Sequence, residues 1–282
     1  MHYTFTLDYF PPEYLLGKDL ERDSKGMQSA RGHHLPAVED SRSPFECLRD
    51  QTVEKLTSVG AVQSNIESTL AQRTSLNGKI ELEAQQWDLL ASGQTLAQLR
   101  MVYIRGAKNE IINTWIFPTR PQITPVYAAE LISVSGVVRV AFVDIQTPAA
   151  CQATTDEVRL LTALLAPRFA ALPCDEAAPD WAIHASTGHF TYARNVPTQQ
   201  MPAVQNCYLA YLETYLNAFA SNDSIHSTAS SPSDAAALSD LHEYQLHHMQ
   251  HSPGGNYLSK LFGADWTTSF MHSFLFVTPT QI

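Results

Sequence analysis

Residues 117–132 read FPTRPQITPVYAAELI, and the question they pose is Glu130, an ionisable carboxylate in the middle of an apolar, β-prone run. Proline cannot donate to a strand ladder and collects at strand ends. Pro118 therefore closes one strand, Pro125 opens the next, and the segment between them is a loop. A hairpin fixes which residues face each other. If Phe117 pairs with Val126, Asn113 falls opposite Glu130. The same face then carries Ile111, Trp115 and Phe117 on one strand and Val126, Ala128, Ile132 and Val134 on the other. Through the two-residue turn Ser135-Gly136, Val134 meets Val137 and Glu130 meets Ala141, which sets Arg139 diagonal to Glu130. Two readings follow from this register. Glu130 and Arg139 form a structural ion pair, or Glu130 sits as a carboxyl of raised pKa in an apolar pocket, oriented by Asn113 and ready to give a proton.

Outward from this hairpin the period of two persists. LRMVYI, EIINTWIF, VYAAELISV and VVRVAFVDI are rich in β-branched and aromatic residues and predict an antiparallel meander from about Leu99. HFTYAR at 189–194 alternates in the same way. Helical periodicity flanks the strands. FECLRDQTVEKL begins at Ser43 or Pro44, Thr154 to Glu157 has capping-box spacing ahead of VRLLTALLAPRFAAL with a kink at Pro167, and AVQNCYLAYLETYLNAF reads as a buried helix. Two more helices are expected from about Asp234 to Gln250 and Asn256 to Phe276. Residues 1–45 read as an irregular lead-in and 221–233 as a mobile polar loop. Strands in the middle with helices before and after predict a single α/β domain over 1–282, an α/β/α sandwich around a mostly antiparallel sheet.

Composition narrows the function. The chain of 282 residues is 44% apolar and 16% charged, with a formal charge of −10, which argues against nucleic acid as a partner. Cys47, Cys151, Cys174 and Cys207 form no CxxC, so neither a disulfide framework nor a zinc or iron–sulfur motif is expected. No run reaches the roughly 18 apolar residues of a membrane helix. The opening MHYTFTLDYFPPEY resembles neither a signal nor a transit peptide, so a cytoplasmic monomer is expected, or a stromal one if a plastid leader has been removed. His247 and His251 have the i, i+4 spacing of a metal pair but lack a third ligand at telling spacing. No bound metal is expected.

Three blocks, taken together, carry a family resemblance. The central block RGAKNEIINTWIFPTRPQITPVYAAELISVSGVVRVAFVDIQTP, with Phe117-Pro118, Pro125 and Asp144 in order, resembles the core of the ferredoxin-dependent bilin reductases. So do the closing block YQLHHMQHSPGGNYLSKLFGADWTTSFMHSFLF and, more faintly, Trp181 followed by HFTYAR. The resemblance implies an open-chain tetrapyrrole held between the sheet and the C-terminal helices. It also implies no bound cofactor: reduced ferredoxin supplies electrons singly and side chains supply protons. Glu130 occupies the position of a catalytic Asp (Asn in the phytochromobilin type). Asn113 stands where the phycocyanobilin-forming branch has His, as in the phycoerythrobilin-forming enzymes. Ser252 replaces the family's second Asp, so neighbouring His251 or a water is expected to make the second proton transfer. Arg194 matches an Arg near a bilin propionate, and Arg139, Trp115 and Phe117 are the further expected substrate contacts. Ferredoxins are acidic, and Arg100, Arg105, Lys108, Arg120 and Lys260 are the bases expected to meet one.

The implied reaction is ferredoxin-dependent reduction of biliverdin IXα or 15,16-dihydrobiliverdin to a phycobilin or phytochromobilin. Two alternatives stand beside it. The P-x-x-x-x-E-L-I context of Glu130 also resembles the red chlorophyll catabolite reductases, and the loss of an acid at Ser252 fits a non-catalytic bilin-binding protein.

Overall fold

The computed structural model describes residues 42–91, 94–220 and 232–278. The expected lead-in falls outside these residues except at its end, where a helix has already begun at Pro44. The loop expected at 221–233 likewise lies outside them up to the helix starting at Pro232.

In chain order the elements are α1 (Pro44–Ser58), β1 (Val62–Ser64), a short α2 (Ser68–Ala71), β2 (Gln72–Thr74), β3 (Ile80–Ala91), β4 (Gln94–Gly106), β5 (Asn109–Pro118), β6 (Val126–Val134) and β7 (Val137–Gln146). There follow α3 (Gln152–Leu165), a 3-10 turn at Ala166–Phe169 where Pro167 ends the helix, α4 (Asp180–Ile183) and β8 (Thr191–Val196). The chain closes with α5 (Met201–Tyr215), α6 (Pro232–His251), α7 (Gly254–Phe262) and α8 (Ala264–Phe270). Helix α3 starts at Gln152, earlier than the Thr154 capping box suggests, with Cys151 before it and no side-chain cap.

The strands form one antiparallel sheet in the order β1-β3-β4-β5-β6-β7-β8, with β2 on β3. One face packs Ile112, Ile116, Tyr127, Leu131 and Val143 against Leu48 and Leu56 of α1, Val158 of α3 and Val204, Tyr208 and Leu212 of α5. The other face lies under the C-terminal helices, where Trp115 meets Tyr244, His248 and Phe276. This is the expected α/β/α sandwich.

The two hairpins flanking Glu130 differ from each other. Between β5 and β6 the register is the expected one, with Asn113 opposite Glu130 and Trp115 opposite Ala128. Ser135 and Gly136 both have positive φ, the pairing a tight two-residue turn requires, and Val134 does face Val137. The ladder then slips. Ser133 pairs with Val138 and Ile132 with Val140, so Arg139 is the extra residue of a β-bulge and Glu130 faces Phe142 rather than Ala141. A bulge moves every later side chain to the opposite face.

The last predicted helix is also split. Gly263 has φ 94° and ψ 148°, a region essentially restricted to glycine, and it separates α7 from α8. The break turns Trp266 towards the 69–73 segment, where its indole N–H donates to the Thr69 carbonyl at 2.8 Å.

Candidate active site

The bulge decides what surrounds Glu130. Had the hairpin stayed regular, Arg139 would sit diagonal to the carboxylate. Instead its guanidinium donates to the Asn195 side chain at 2.9 Å, and the expected register for an ion pair is lost. Glu130 interacts with Asn113, whose amide is its hydrogen-bond donor. Burial pushes the carboxyl up to about 7, and the Asn113 hydrogen bond pulls it the other way without cancelling the rise. A carboxyl in that range is partly protonated near neutrality.

The same slip brings two further residues onto this face. Phe142 lies opposite Glu130, and Asp144 lies opposite Ala128, one row along. In the regular register both would have faced away, which is why sequence reasoning did not place them. Asp144 is fully buried. Its Oδ1 accepts from the Ile145 N–H at 2.8 Å and its Oδ2 has no hydrogen-bond partner among the described residues. Burial raises this carboxyl to about 7 as well, with Ser186, Gln146 and the Ile145 amide opposing. Two carboxyls of raised pKa thus sit diagonally on neighbouring strands, separated by the small Ala128 and by Phe142.

Aromatic and imidazole rings from the C-terminal segments roof this face. Trp115 stacks on Phe117 with centroids 5.6 Å apart, and His248, Phe276 and Tyr244 approach Trp115 edge-on at 4.9, 5.4 and 6.2 Å. The Tyr244 hydroxyl donates to Gln146 of β7, tying α6 to the sheet. Arg100, expected at a docking surface, is buried here instead. Its guanidinium lies over the Phe117 ring at 5.4 Å and donates to the Leu275 carbonyl at 3.3 Å, to the Val277 carbonyl and to Gln98 at 3.0 Å. It anchors the chain end over the site. Arg105, by contrast, is at the surface and is paired with Glu46 and Glu81.

Among the described residues, several buried polar atoms on this face have no hydrogen-bond partner: Asn113 Oδ1, Trp115 Nε1, Asp144 Oδ2 and both ring nitrogens of His248. Native interiors rarely leave such groups unsatisfied, and a group of them on one face offers a polar ligand or bound water several atoms to pair with. Burial, reinforced by the neighbouring His247, His184 and His251, lowers His248 to about 3, so its ring is neutral and offers one donor and one acceptor.

Arg194 shares the Glu130 face, paired in the ladder with Val140, and its guanidinium is held by Glu176. The remaining sequence-predicted residues stand at the end of α6. Ser252 Oγ accepts from the Gly254 N–H at 3.2 Å, which uses it to join α6 to α7. His251 is exposed, with Nδ1 at 2.8 Å from the His247 carbonyl. The rings of His184, His247 and His251 form a stacked column with centroids 4.4 and 4.3 Å apart, which presents ring faces rather than convergent lone pairs. Among the described residues no group of three or more His, Cys, Asp or Glu is placed to hold a metal ion. No helix among them is long and apolar enough to cross a membrane. A cleft of about 210 Å³ between Arg49, Arg73, Glu83, Tyr103 and Arg105 lies apart from the Glu130 group.

The profile of the ferredoxin-dependent bilin reductases matches residues 49–277, which takes in the whole sheet and all the helices described above except the start of α1. The chain belongs to this family. No curated protein sequence matches it. Among solved structures, the selenomethionine form of phytochromobilin synthase from tomato, in complex with biliverdin, matches with a TM-score of 0.70 and 16% identity over 83% of each chain. At that identity the likeness establishes the fold. Family membership assigns the broad chemistry, reduction of a bilin by an oxidoreductase.

Proposed function

We propose that this chain reduces biliverdin IXα or 15,16-dihydrobiliverdin with electrons delivered one at a time by reduced ferredoxin. Glu130 gives the proton that neutralises the reduced tetrapyrrole. The observation that carries the reading is Glu130 itself: a carboxyl raised to about 7, hydrogen-bonded to Asn113, opposite Phe142 and with no cation as its partner among the described residues. A general acid works best when its pKa lies near the operating pH. The unsatisfied polar atoms around it suit the substrate's chemistry, since an open-chain tetrapyrrole carries pyrrole N–H donors and lactam carbonyl acceptors along an otherwise apolar edge.

The residues divide the work by chemistry. Asn113 orients the Glu130 carboxyl and moderates its pKa. Trp115 and Phe117 form a flat apolar surface for the bilin rings, and Arg194 offers a propionate a planar cation whose partner Glu176 is largely exposed. Arg139, displaced by the bulge to the Asn195 side, is proposed to meet a substrate carboxylate at the rim. Ser252 is a poor acid, and with His251 it is the proposed second site, the imidazole or a bound water giving the proton.

Mixing the protein with each bilin and recording the visible spectrum tests binding. Adding reduced ferredoxin without oxygen tests turnover. The proposal expects a shifted band on mixing and its loss on reduction. A shifted band that persists under reduction assigns the chain to bilin binding without catalysis, a reading that the replacement of an acid by Ser252 favours. Absence of any shift with both bilins contradicts the proposal.

A further inference from the structure

The net charge of −10 makes any cationic, apolar surface conspicuous, and one is built where the 68–80 segment meets α7 and α8. The two are joined directly: the Leu76 N–H donates to the Leu261 carbonyl at 2.8 Å, and the Trp266 indole to Thr69. Residues 68–80 and 254–264 contain Arg73, Lys79 and Lys260 and no carboxylate, with Glu67, Glu81 and Asp265 at their borders, Glu81 being paired with Arg105. Neither lysine ammonium has an ion-pair partner among the described residues, whereas Lys55 is paired with Glu213. Leu76, three residues before Lys79 and bonded through its backbone to Leu261 beside Lys260, is 72% exposed. Arg73 lies over the Trp266 ring at 5.6 Å.

Behind this surface runs a column of rings. Trp266 stacks on Phe270 with centroids 4.7 Å apart, and Phe270 packs on Phe274 at 5.2 Å, both phenylalanines being buried. The chain then continues through Leu275, whose carbonyl is held by Arg100, to Phe276, which touches Trp115 at 5.4 Å. The patch is therefore connected, through these rings and the chain from Phe274 to Phe276, to the sheet face that carries Glu130.

We infer that Leu76, Lys79, Lys260 and the Trp266 edge form the docking surface for a small acidic one-electron carrier, a ferredoxin. The inference rests on the proposed function for its partner. It goes beyond it in naming where that partner binds and by what route the electron enters. An exposed apolar side chain accompanied by lysines that have no ion-pair partner among the described residues suits a transient interface with an acidic redox protein: the charges steer the encounter and Leu76 supplies a small dry contact. Charge complementarity with a carrier of opposite sign favours this occupant over a second copy of the chain, which presents the same cations.

The test is binding of oxidised ferredoxin, measured by calorimetry as a function of salt, because binding requires no turnover. The double variant Lys79→Glu/Lys260→Glu is expected to weaken binding at least ~10-fold and to flatten its salt dependence. Arg159→Glu, in α3, where the arginine is paired with Asp156, changes charge without touching the patch and is expected to leave affinity within ~2-fold. In turnover, the double variant is expected to lose ferredoxin-driven reduction while a viologen radical, which needs no docking surface, still drives it at the wild-type rate. Unchanged ferredoxin affinity in the double variant overturns the inference, as does an equal loss in Arg159→Glu or failure of the wild type to bind ferredoxin. A chain that binds ferredoxin through this patch yet reduces no bilin with either donor separates failure of the functional reading from failure of this one.

Discussion

Replacing Asn113 by leucine, which keeps the volume and removes the amide, is expected to move the titration of Glu130 upward. The sign follows from the structure: burial raises the carboxyl to about 7 and the Asn113 hydrogen bond is the opposing influence. A hydrogen bond to a charged acceptor is worth about 1.5–3 kcal/mol. At about 1.4 kcal/mol per pKa unit, its loss shifts the midpoint by roughly one to two units. In the wild type the protonated fraction falls from about one half at pH 7 to about one tenth at pH 8, and the proton-transfer step should slow in proportion. In the variant the same fall begins between about pH 8 and pH 9. Stopped-flow decay of the semi-reduced bilin radical across pH reads the step. The infrared difference band of the protonated carboxyl reads the group itself. An unchanged or lowered midpoint in Asn113→Leu would refute the assignment of Asn113 as the partner that sets the acid.

Other perturbations test the frame around the site. Asp144 and Glu130 both titrate higher in the folded chain than in an unfolded one, so the folded state holds more protons between about pH 4 and pH 7 and stability falls as pH rises through that window. Asp144→Asn, which cannot ionise, should flatten that decline by up to about 1.4 kcal/mol per pH unit in urea unfolding; an unchanged slope would show that the buried acid does not titrate there. Gly263→Ala meets open space for its Cβ but keeps φ 94°, so only backbone strain opposes it. A loss of about 1–3 kcal/mol in the urea midpoint is expected, and full stability would mean that α7 and α8 can rejoin as one helix. Arg100→Met removes the donor to the Leu275 and Val277 carbonyls, with an expected cost of about 2–4 kcal/mol and faster proteolysis of the C-terminal residues. Equal proteolysis rates would show that Arg100 does not hold the roof.

The hairpin that places Asn113 against Glu130 was legible because two prolines bracket its loop and the Ser135-Gly136 turn fixes its far end. Nothing in VVRVAFVDIQ marks Arg139 as the residue a bulge leaves out. That single insertion accounts for three differences at once: the missing ion pair, Phe142 on the Glu130 face and the unforeseen Asp144. Strand β3, IELEAQQWDLLA, escaped sequence reasoning because Gln85 and Gln86 interrupt its apolar alternation, although its pairing with β4 runs nearly its full length. Arg100 looked like a surface base because side-chain type, rather than burial, is what a sequence shows. Here its charge is matched by carbonyls from residues 275 and 277, a contact across 175 residues or more that no local pattern encodes. The break at Gly263 is the reverse case, a residue whose permissive backbone was visible but whose positive φ was not.

The central claim is that Glu130 is a proton donor and not a structural charge. Glu130→Gln keeps the size and the hydrogen-bonding edge but cannot release a proton at neutral pH. With biliverdin or 15,16-dihydrobiliverdin bound and one equivalent of reduced ferredoxin added under anaerobic conditions, visible and electron paramagnetic resonance spectra follow the first electron. The account predicts normal binding, a bilin radical that accumulates and decay slowed by about 10²–10⁴. Full turnover at the wild-type rate in Glu130→Gln would contradict it.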